Sequence, residues 1–320
     1  MKTFSVTEAL TEPFRQVGRR PLAPLLWGLV LLLPSAATLM MLLPVLGQME
    51  ASGAFQASAV AGAEPTWSDA DLAAMMQMQM WSWLANLLQL VAVALVSTAI
   101  MRAVFGGAKR DKAAFLRFSL QEVYVAVMGI VVGVGFFLVA LIAVLLTVAV
   151  GFAFKAAGDV AAILFGIVAG VGLFIAGLML WGRLALLAPA SVRYNTFAFE
   201  EGWRLGRRQN WALLGMQLLL VVVCLALGVA LMALFMLVIL VTAGGLHLSD
   251  PVAVGNWADG VAANPTGLIV AGLVLLVPIA WVQGFCQLLL TSPYAYVVKT
   301  LAAQDADSPS NSADTSDPAL

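Results

Sequence analysis

The side chains best suited to chemistry lie in one short run, FAFEEGWRLGRRQNW at residues 197–211, between two long uncharged segments. The run combines two carboxylates, three guanidinium groups and two indoles: Glu200, Glu201, Arg204, Arg207, Arg208, Trp203 and Trp211. Carboxylates beside arginines suit acid–base chemistry or phosphate binding. Arginine and tryptophan also suit contact with lipid headgroups. The rest of the chain is needed to choose between these roles.

Motifs for catalysis, metals and cofactors are missing elsewhere. His247 is the only histidine, which excludes a two-histidine metal site or acid–base pair within one chain. No nucleophile elbow, P-loop or dinucleotide fingerprint occurs. Cys224 and Cys286 fall in apolar segments, where packing thiols are expected and an intramembrane disulfide or metal pair is the alternative. We therefore predict no catalytic residue, no metal ligand and no cofactor.

A methionine run, MMQMQM at 75–80, has two interpretations. On a helix Met76 and Met80 share one face, and Met75 and Met78 share another. Thioethers bind Cu(I), but methionine also fills irregular interfacial packing. The sequence does not show whether the Met75–Met80 cluster binds copper.

The composition indicates a membrane protein. The chain is 62% hydrophobic and 10% charged, whereas soluble domains are about 45–50% apolar and about 25% charged. Its uncharged runs exceed the roughly 20 residues that a helix needs to cross a bilayer, and helices satisfy the backbone in lipid. We predict an all-α integral membrane fold with six spans, near 22–46, 80–104, 123–152, 160–182, 211–241 and 267–295.

The basic residues predict the orientation. With the N-terminus inside, every lysine and arginine except Lys155 lies in an inner segment, as the positive-inside rule requires. We expect a bacterial inner-membrane protein with both termini in the cytoplasm. Its parts are an interfacial helix at 1–21, a membrane domain at 22–303 and a disordered acidic tail at 304–320. No basic tract suggests nucleic-acid binding.

Three inner segments share an imperfect repeat: FSVTEAL from Phe4, FSLQEVY from Phe118 and FAFEEGW from Phe197. Ser5 with Glu8, and Ser119 with Glu122, have the spacing of a capping box. We predict three units, each an amphipathic helix in the membrane plane followed by a transmembrane hairpin.

The first of these helices carries an apolar side suited to the membrane interface, and Pro13 is expected to break it. The residues of that side are Val6, Leu10, Phe14 and Val17.

Small and amide residues within the spans favour helix packing. Gly129 and Gly133 in the third span, and Gly166 and Gly170 in the fourth, have a spacing that lets backbones approach. Five amides are expected to bridge helices, with a polar path as the alternative. They are Asn86, Gln89, Gln217, Gln283 and Gln287.

The segment 183–220, RLALLAPASVRYNTFAFEEGWRLGRRQNWALLGMQLLL, is a span ending in arginine, a proline, a linker, a Trp-Arg helix with a basic turn, and another span. It resembles a bacterial membrane-domain family that includes the polytopic domain of some glycerophosphoryl diester phosphodiesterases and related stand-alone proteins. PYAYVVKTL near the C-terminus and the first repeat are similar too. The matching residues are Pro189, Trp203, Arg204, Gly206 and Arg207, whereas Gly202 stands where the family often has serine. The resemblance implies six helical spans without enzyme activity, because the phosphodiesterase chemistry belongs to a separate barrel domain.

Function is predicted from what the spans lack. Their central parts contain no Asp, Glu, Lys, Arg or His, which disfavours an ion-coupled transporter. We predict a non-enzymatic scaffold, partner-binding or lipid-organising module of the cell envelope, with membrane lipids and other envelope membrane proteins as partners. The alternative is a carrier or flippase-like protein for a hydrophobic or lipid substrate. A third interpretation is a membrane enzyme that acts on lipid headgroups through Glu201 and Arg204.

The candidate contacts with headgroups or a partner are basic and aromatic residues of the inner segments. They are Arg19, Arg20, Trp203, Arg204, Arg207, Arg208 and Trp211. Topology and interfacial anchoring explain the opening run best, a specific lipid or partner site comes second, and catalysis last. No motif in the sequence indicates the oligomeric state.

Overall fold

A computed structural model describes residues 4–51, 69–106, 116, 119–155, 158–207, 209–242 and 266–306. These residues form nine α-helices, and no strand occurs among them. The helices are α1 (Val6–Arg19), α2 (Ala23–Ala51), α3 (Asp69–Gly106), α4 (Leu120–Lys155), α5 (Asp159–Leu184), α6 (Leu187–Tyr194), α7 (Phe199–Gly206), α8 (Asn210–Thr242) and α9 (Thr266–Ala306).

The long helices confirm the all-α membrane class. By length and composition, five helices within the described residues can cross a bilayer, and the bent pair α1–α2 makes a sixth. The predicted spans fall within α2, α3, α4, α5, α8 and α9. Helix α9 continues to Ala306, so the first three residues of the predicted disordered tail are helical, and the rest of that tail, 307–320, lies outside the described residues.

Helix α1 departs from its prediction in two ways. It is continuous through Pro13, and the prediction of a break there is wrong. Its buried residues are Ala9, Glu12, Pro13 and Gln16, so packing against the rest of the chain supports the turn that lacks the proline N–H. The expected apolar side is divided, because Phe14 is 55% exposed whereas Val6, Leu10 and Val17 pack against the bundle.

Helices α2, α3 and α9 form the tightest part of the bundle. A Cβ atom on Gly28 would overlap the carbonyl of Ala280, and one on Gly284 would overlap the carbonyl of Pro24. Glycine at both positions lets the α2 and α9 backbones touch. Trp27 and Leu288 are fully buried beside this crossing.

The hairpin of α4 and α5 is far less buried. In its most apolar stretch of 18 residues neither helix has a buried residue, against 44% for α3 and for α9. The predicted meeting of glycines is wrong, since a Cβ on Gly129, Gly133, Gly166 or Gly170 would have no atom within 4 Å. Aromatic pairs lie between these two helices instead, Phe136 with Trp181 at 5.3 Å and Phe154 with Phe165 at 4.6 Å between ring centres.

We call one end of the bundle the packed end. There α3 and α9 finish, α4 and α8 begin, and α1, α6 and α7 lie between them. Its core is drawn from many elements, including Ala9, Leu186, Leu205, Leu213 and Val298. The short helices α6 and α7 thus pack into the protein and are not simply laid on its surface.

Candidate functional site

The three copies of the repeat all lie at the packed end, and two of them form half of a capping box. In the first, Ser5 Oγ accepts a hydrogen bond from the Glu8 N–H at 3.3 Å. In the second, the Ser119 N–H donates to Glu122 Oε2 at 2.7 Å. The first copy therefore satisfies one backbone donor at a helix start, and the second satisfies two, because Ser119 Oγ also accepts from the Gln121 N–H at 3.3 Å.

In the third copy, the residue before α7 finds its acceptor on another helix. Ala198 precedes α7 and has no capping side chain. Its N–H donates to Ser191 Oγ of α6 at 3.3 Å. Ser191 is fully buried and itself donates to the Leu187 carbonyl at 2.9 Å, so it ties the start of α7 to α6.

The second copy departs from the predicted architecture. Its motif is the first turn of the long helix α4, and residues 107–115 before it lie outside the described residues. The reason is a strong local anchor. Glu122 is buried in that first turn and pairs with Arg102 of α3, with Nη1 and Oε1 2.7 Å apart.

Arg102 is held by several acceptors around this pair. Its Nε donates to Gln121 Oε1 at 2.7 Å and its Nη2 donates to Ser119 Oγ at 2.5 Å. Gln121 Nε2 in turn donates to Asn195 Oδ1 at 3.2 Å, and Asn195 ends α6 with a positive φ of 56°. The network joins α3, α4 and α6, and both charges are neutralised within it, which suits a structural role.

Two further polar side chains donate hydrogen bonds to carbonyls at the end of α3. Lys299 Nζ donates to the Val104 carbonyl at 2.7 Å, and Gln16 Nε2 donates to the Ala103 carbonyl at 3.5 Å. Gln16 Nε2 also donates to Glu12 Oε1 at 2.7 Å, and Glu12 pairs with Arg15. These contacts satisfy carbonyls that a helix end leaves without partners.

Helix α7 packs on α6 through Gly202 and on the end of α5 through Gly206. A Cβ atom on Gly202 would lie 2.8 Å from Leu187 Cδ2 and 3.0 Å from Leu187 Cα. One on Gly206 would lie 3.3 Å from Arg183 Cγ and from Leu186 Cδ1. The close approach explains a buried glycine where the resemblance implied serine, and it holds the basic side of α7 in place.

Arginine and aromatic side chains meet where α5, α7 and α8 converge. Arg183 Nε donates to Asn210 Oδ1 at 2.7 Å, and its guanidinium carbon lies 5.4 Å from the centre of the Trp203 ring. Trp203 stacks on Phe199 with ring centres 6.5 Å apart. Cations attract the face of an indole, so Trp203 fixes the plane of this guanidinium.

The structure brings most of the predicted contact residues to this place. Trp203, Arg204 and Arg207 lie on α7 or at its end, and Trp211 is in the first turn of α8 with 77% of its surface exposed. Arg19 and Arg20 lie elsewhere, at the elbow between α1 and α2. Arg208 falls outside the described residues.

Arg183 and Asn210 were not among the predicted contacts. Arg183 is the basic residue that ends the fourth predicted span, and Asn210 begins the fifth. Their positions at facing span ends are a signal that sequence reading can use. The contact between Arg183 and Asn210 was not predicted, because the two residues are 27 positions apart in the sequence.

The described residues do not bring together the metal-binding groups considered from the sequence. No group of three or more His, Cys, Asp or Glu residues capable of holding a metal ion occurs there. Met76 and Met80 are 77% and 61% exposed, and His247 lies outside the described residues. Copper binding and headgroup chemistry through Glu201 and Arg204 both remain untested.

Two of the predicted amide bridges are present. Oriented to suit its neighbours, the Gln217 amide donates to the Leu178 carbonyl at 2.7 Å and accepts from the Gly182 N–H at 3.0 Å and the Tyr294 hydroxyl at 3.3 Å. Gln287 Nε2 donates to Ser97 Oγ at 2.8 Å. Gln217 joins α5, α8 and α9, and the second bridge joins α9 to α3.

Comparison of the whole chain with family models, with curated proteins and with solved structures finds no match. The resemblance to the membrane domain of glycerophosphoryl diester phosphodiesterases therefore stays a prediction.

Proposed function

We propose that this chain is a non-enzymatic membrane module of the cell envelope that organises lipid headgroups or a partner at its packed end. In this proposal the six long helices cross the bacterial inner membrane, and both termini and the packed end face the cytoplasm. The amphipathic helices α1 and α7 lie at the inner membrane surface. The positive-inside distribution of lysine and arginine supports this orientation.

The proposal is supported by one observation: the charged residues of the packed end fall into two groups, one held by contacts within the fold and one exposed. Glu12, Glu122 and Lys299 are engaged in the fold. Arg204 and Arg207, in contrast, are exposed and make no ion pair with a described residue. Free guanidinium groups beside interfacial tryptophans suit anionic headgroups, each contributing about 1 kcal/mol near an anionic surface. Structural charges and contact charges are thus separate.

Reconstitution into liposomes tests this function against the carrier alternative. The full chain should bind anionic lipid more tightly than zwitterionic lipid, and Arg204→Ala with Arg207→Ala should abolish the preference without any turnover of lipid. Transport of a labelled lipid or apolar solute that depends on the protein would instead support the carrier. Cleavage of headgroups that needs Glu201 would support the enzyme.

A further inference from the structure

Arg183 is an anchored guanidinium with part of its binding capacity unused. Its Nε is engaged by Asn210 and its face by Trp203. Its terminal nitrogens make no hydrogen bond or ion pair with any described residue. An arginine carries five N–H donors in a planar fork, so four remain to bind an acceptor from outside the chain. Holding the group in advance lowers the entropy that binding must overcome.

More positive charge surrounds this fork. The close approach of Gly206 to Arg183 Cγ places the last turn of α7 beside it, and Arg207 ends that helix. Asn210 is the first residue of α8, whose N-terminal N–H groups carry partial positive charge. These features converge from three helices on one surface.

The nearest acids on α7 lie at its other end. Glu200 and Glu201 are in the first turn, whereas Arg207 caps the last. Gly206, which lies against Arg183 Cγ, is five residues beyond Glu201, an axial distance of about 7.5 Å, so the carboxylates are offset from Arg183 along the helix. Arg207 is therefore nearer than either glutamate to the end of α7 that lies beside Arg183.

We propose that Arg183 and Arg207 form a phosphate-binding site for the headgroup of an anionic phospholipid. The Arg183 fork and Arg207 contact phosphate oxygens, because guanidinium groups bind phosphate through paired hydrogen bonds. Trp203 and Trp211 lie against the adjoining glycerol region, where indoles settle in bilayers. The inference rests on the proposed function, because it needs this surface at the membrane.

Native mass spectrometry of the delipidated full chain in neutral detergent tests the site. The probes are phosphatidic acid, zwitterionic phosphatidylcholine and water-soluble glycerol 3-phosphate. The variants are Arg183→Ala, Arg183→Lys and Arg207→Ala. Arg193→Ala is the matched control, because Arg193 is also an exposed arginine of the packed end but lies over Phe105 at 5.9 Å.

Arg183→Ala should weaken phosphatidic acid binding about tenfold or more, the scale of one lost charge-assisted contact. Arg183→Lys should recover only part of this affinity, because an ammonium keeps the charge and loses the fork. Arg207→Ala, an exposed change that leaves the fold intact, should weaken binding about threefold or more. Arg193→Ala should bind like wild type.

Equal affinity of wild type, Arg183→Ala and Arg207→Ala for phosphatidic acid would overturn the site. Displacement of the lipid by equimolar glycerol 3-phosphate would overturn the assignment to a lipid headgroup, since the site would then take a free phosphate ester. The two proposals fail separately. Lipid binding that ignores Arg183 removes only this site, whereas Arg183-dependent binding accompanied by lipid turnover or transport removes only the proposed function.

Discussion

Replacing Glu122 with alanine should uncouple α4 from α3. The Glu122 and Arg102 side chains are only 6% and 11% exposed, and their charged atoms are 2.7 Å apart. The substitution removes the carboxylate and leaves the guanidinium in the same buried place. The network through Gln121 to Asn195 then loses its charge balance.

The expected loss can be estimated from this burial. Removing one partner of a buried ion pair costs about 3–5 kcal/mol, because the remaining charge is left uncompensated. Arg102 keeps its hydrogen bonds to Gln121 and Ser119, so we expect the lower end, about 3 kcal/mol. That corresponds to a decrease on the order of a hundredfold in the ratio of folded to unfolded protein.

A double-mutant cycle separates pairing from simple loss of packing. Arg102→Met combined with Glu122→Leu replaces both charges with apolar side chains of similar size. Such replacements of buried pairs are often neutral, so the double variant should be more stable than either Glu122→Leu or Arg102→Met alone. Glu200→Ala is the control, since this exposed acid should change stability by less than about 0.5 kcal/mol.

Unfolding by sodium dodecyl sulfate in mixed micelles, followed by circular dichroism, gives the free energies. The reasoning is refuted if Glu122→Ala unfolds within about 1 kcal/mol of wild type, well under the cost of an unpaired buried charge. It is refuted equally if the losses of the two single variants simply add in the double variant.

Three further outcomes are expected. Gly202→Ser should lower the free energy of unfolding by about 1–3 kcal/mol, because its Cβ would crowd Leu187, whereas Gly215→Ala, with open space around it, should not destabilise. Gly28→Ala should separate α2 from α9 and reduce the yield of folded protein, measured by size-exclusion chromatography. Cys224 and Cys286 are free thiols beside Val223 and Phe285, which pack in one cluster, so a short crosslinker with a thiol-reactive group at each end should join them within one chain.

Each of these outcomes has a clear contrary result. Equal stability of Gly202→Ser and Gly215→Ala would show that α7 does not approach α6 closely. Wild-type yield of Gly28→Ala would contradict the backbone crossing of α2 and α9. Crosslinker attached at only one end to each cysteine, after cleavage of the chain between α8 and α9, would contradict their proximity.

The helix class and the long helices follow from the sequence because the membrane imposes simple rules. Uncharged runs above about 20 residues must become helices in lipid, and every predicted span lies in a long helix. The helix starts at Ser5 and Ser119 were also predictable, since capping depends on residues three positions apart.

The packing could not be predicted from local spacing. Gly129 and Gly133 had the favoured spacing, but a Cβ atom on either would have no atom of another helix within 4 Å, whereas Gly28 and Gly284, 256 positions apart in the sequence, bring two backbones together. Spacing along one helix does not say which face meets another helix.

The candidate site was predicted in part. Its exposed members on α7 followed from charge and aromatic residue type, which are visible in the run at 197–211. The role of Arg183 could be recognised only from the fold, because its partners Asn210 and Trp203 lie on two other helices. The serine that binds the start of the third repeat was hidden in the same way, since Ser191 belongs to α6.

The most direct test of the central claim is the lipid that accompanies the protein out of its own membrane. Wild type, Arg204→Ala with Arg207→Ala, and the Arg193→Ala control should be extracted in the same neutral detergent and their bound phospholipids measured by mass spectrometry. We predict that wild type and the control are enriched in anionic phospholipid relative to the membrane and that the double variant is not. Identical bound lipid in all three, matching the membrane composition, would contradict a headgroup-organising role for the packed end.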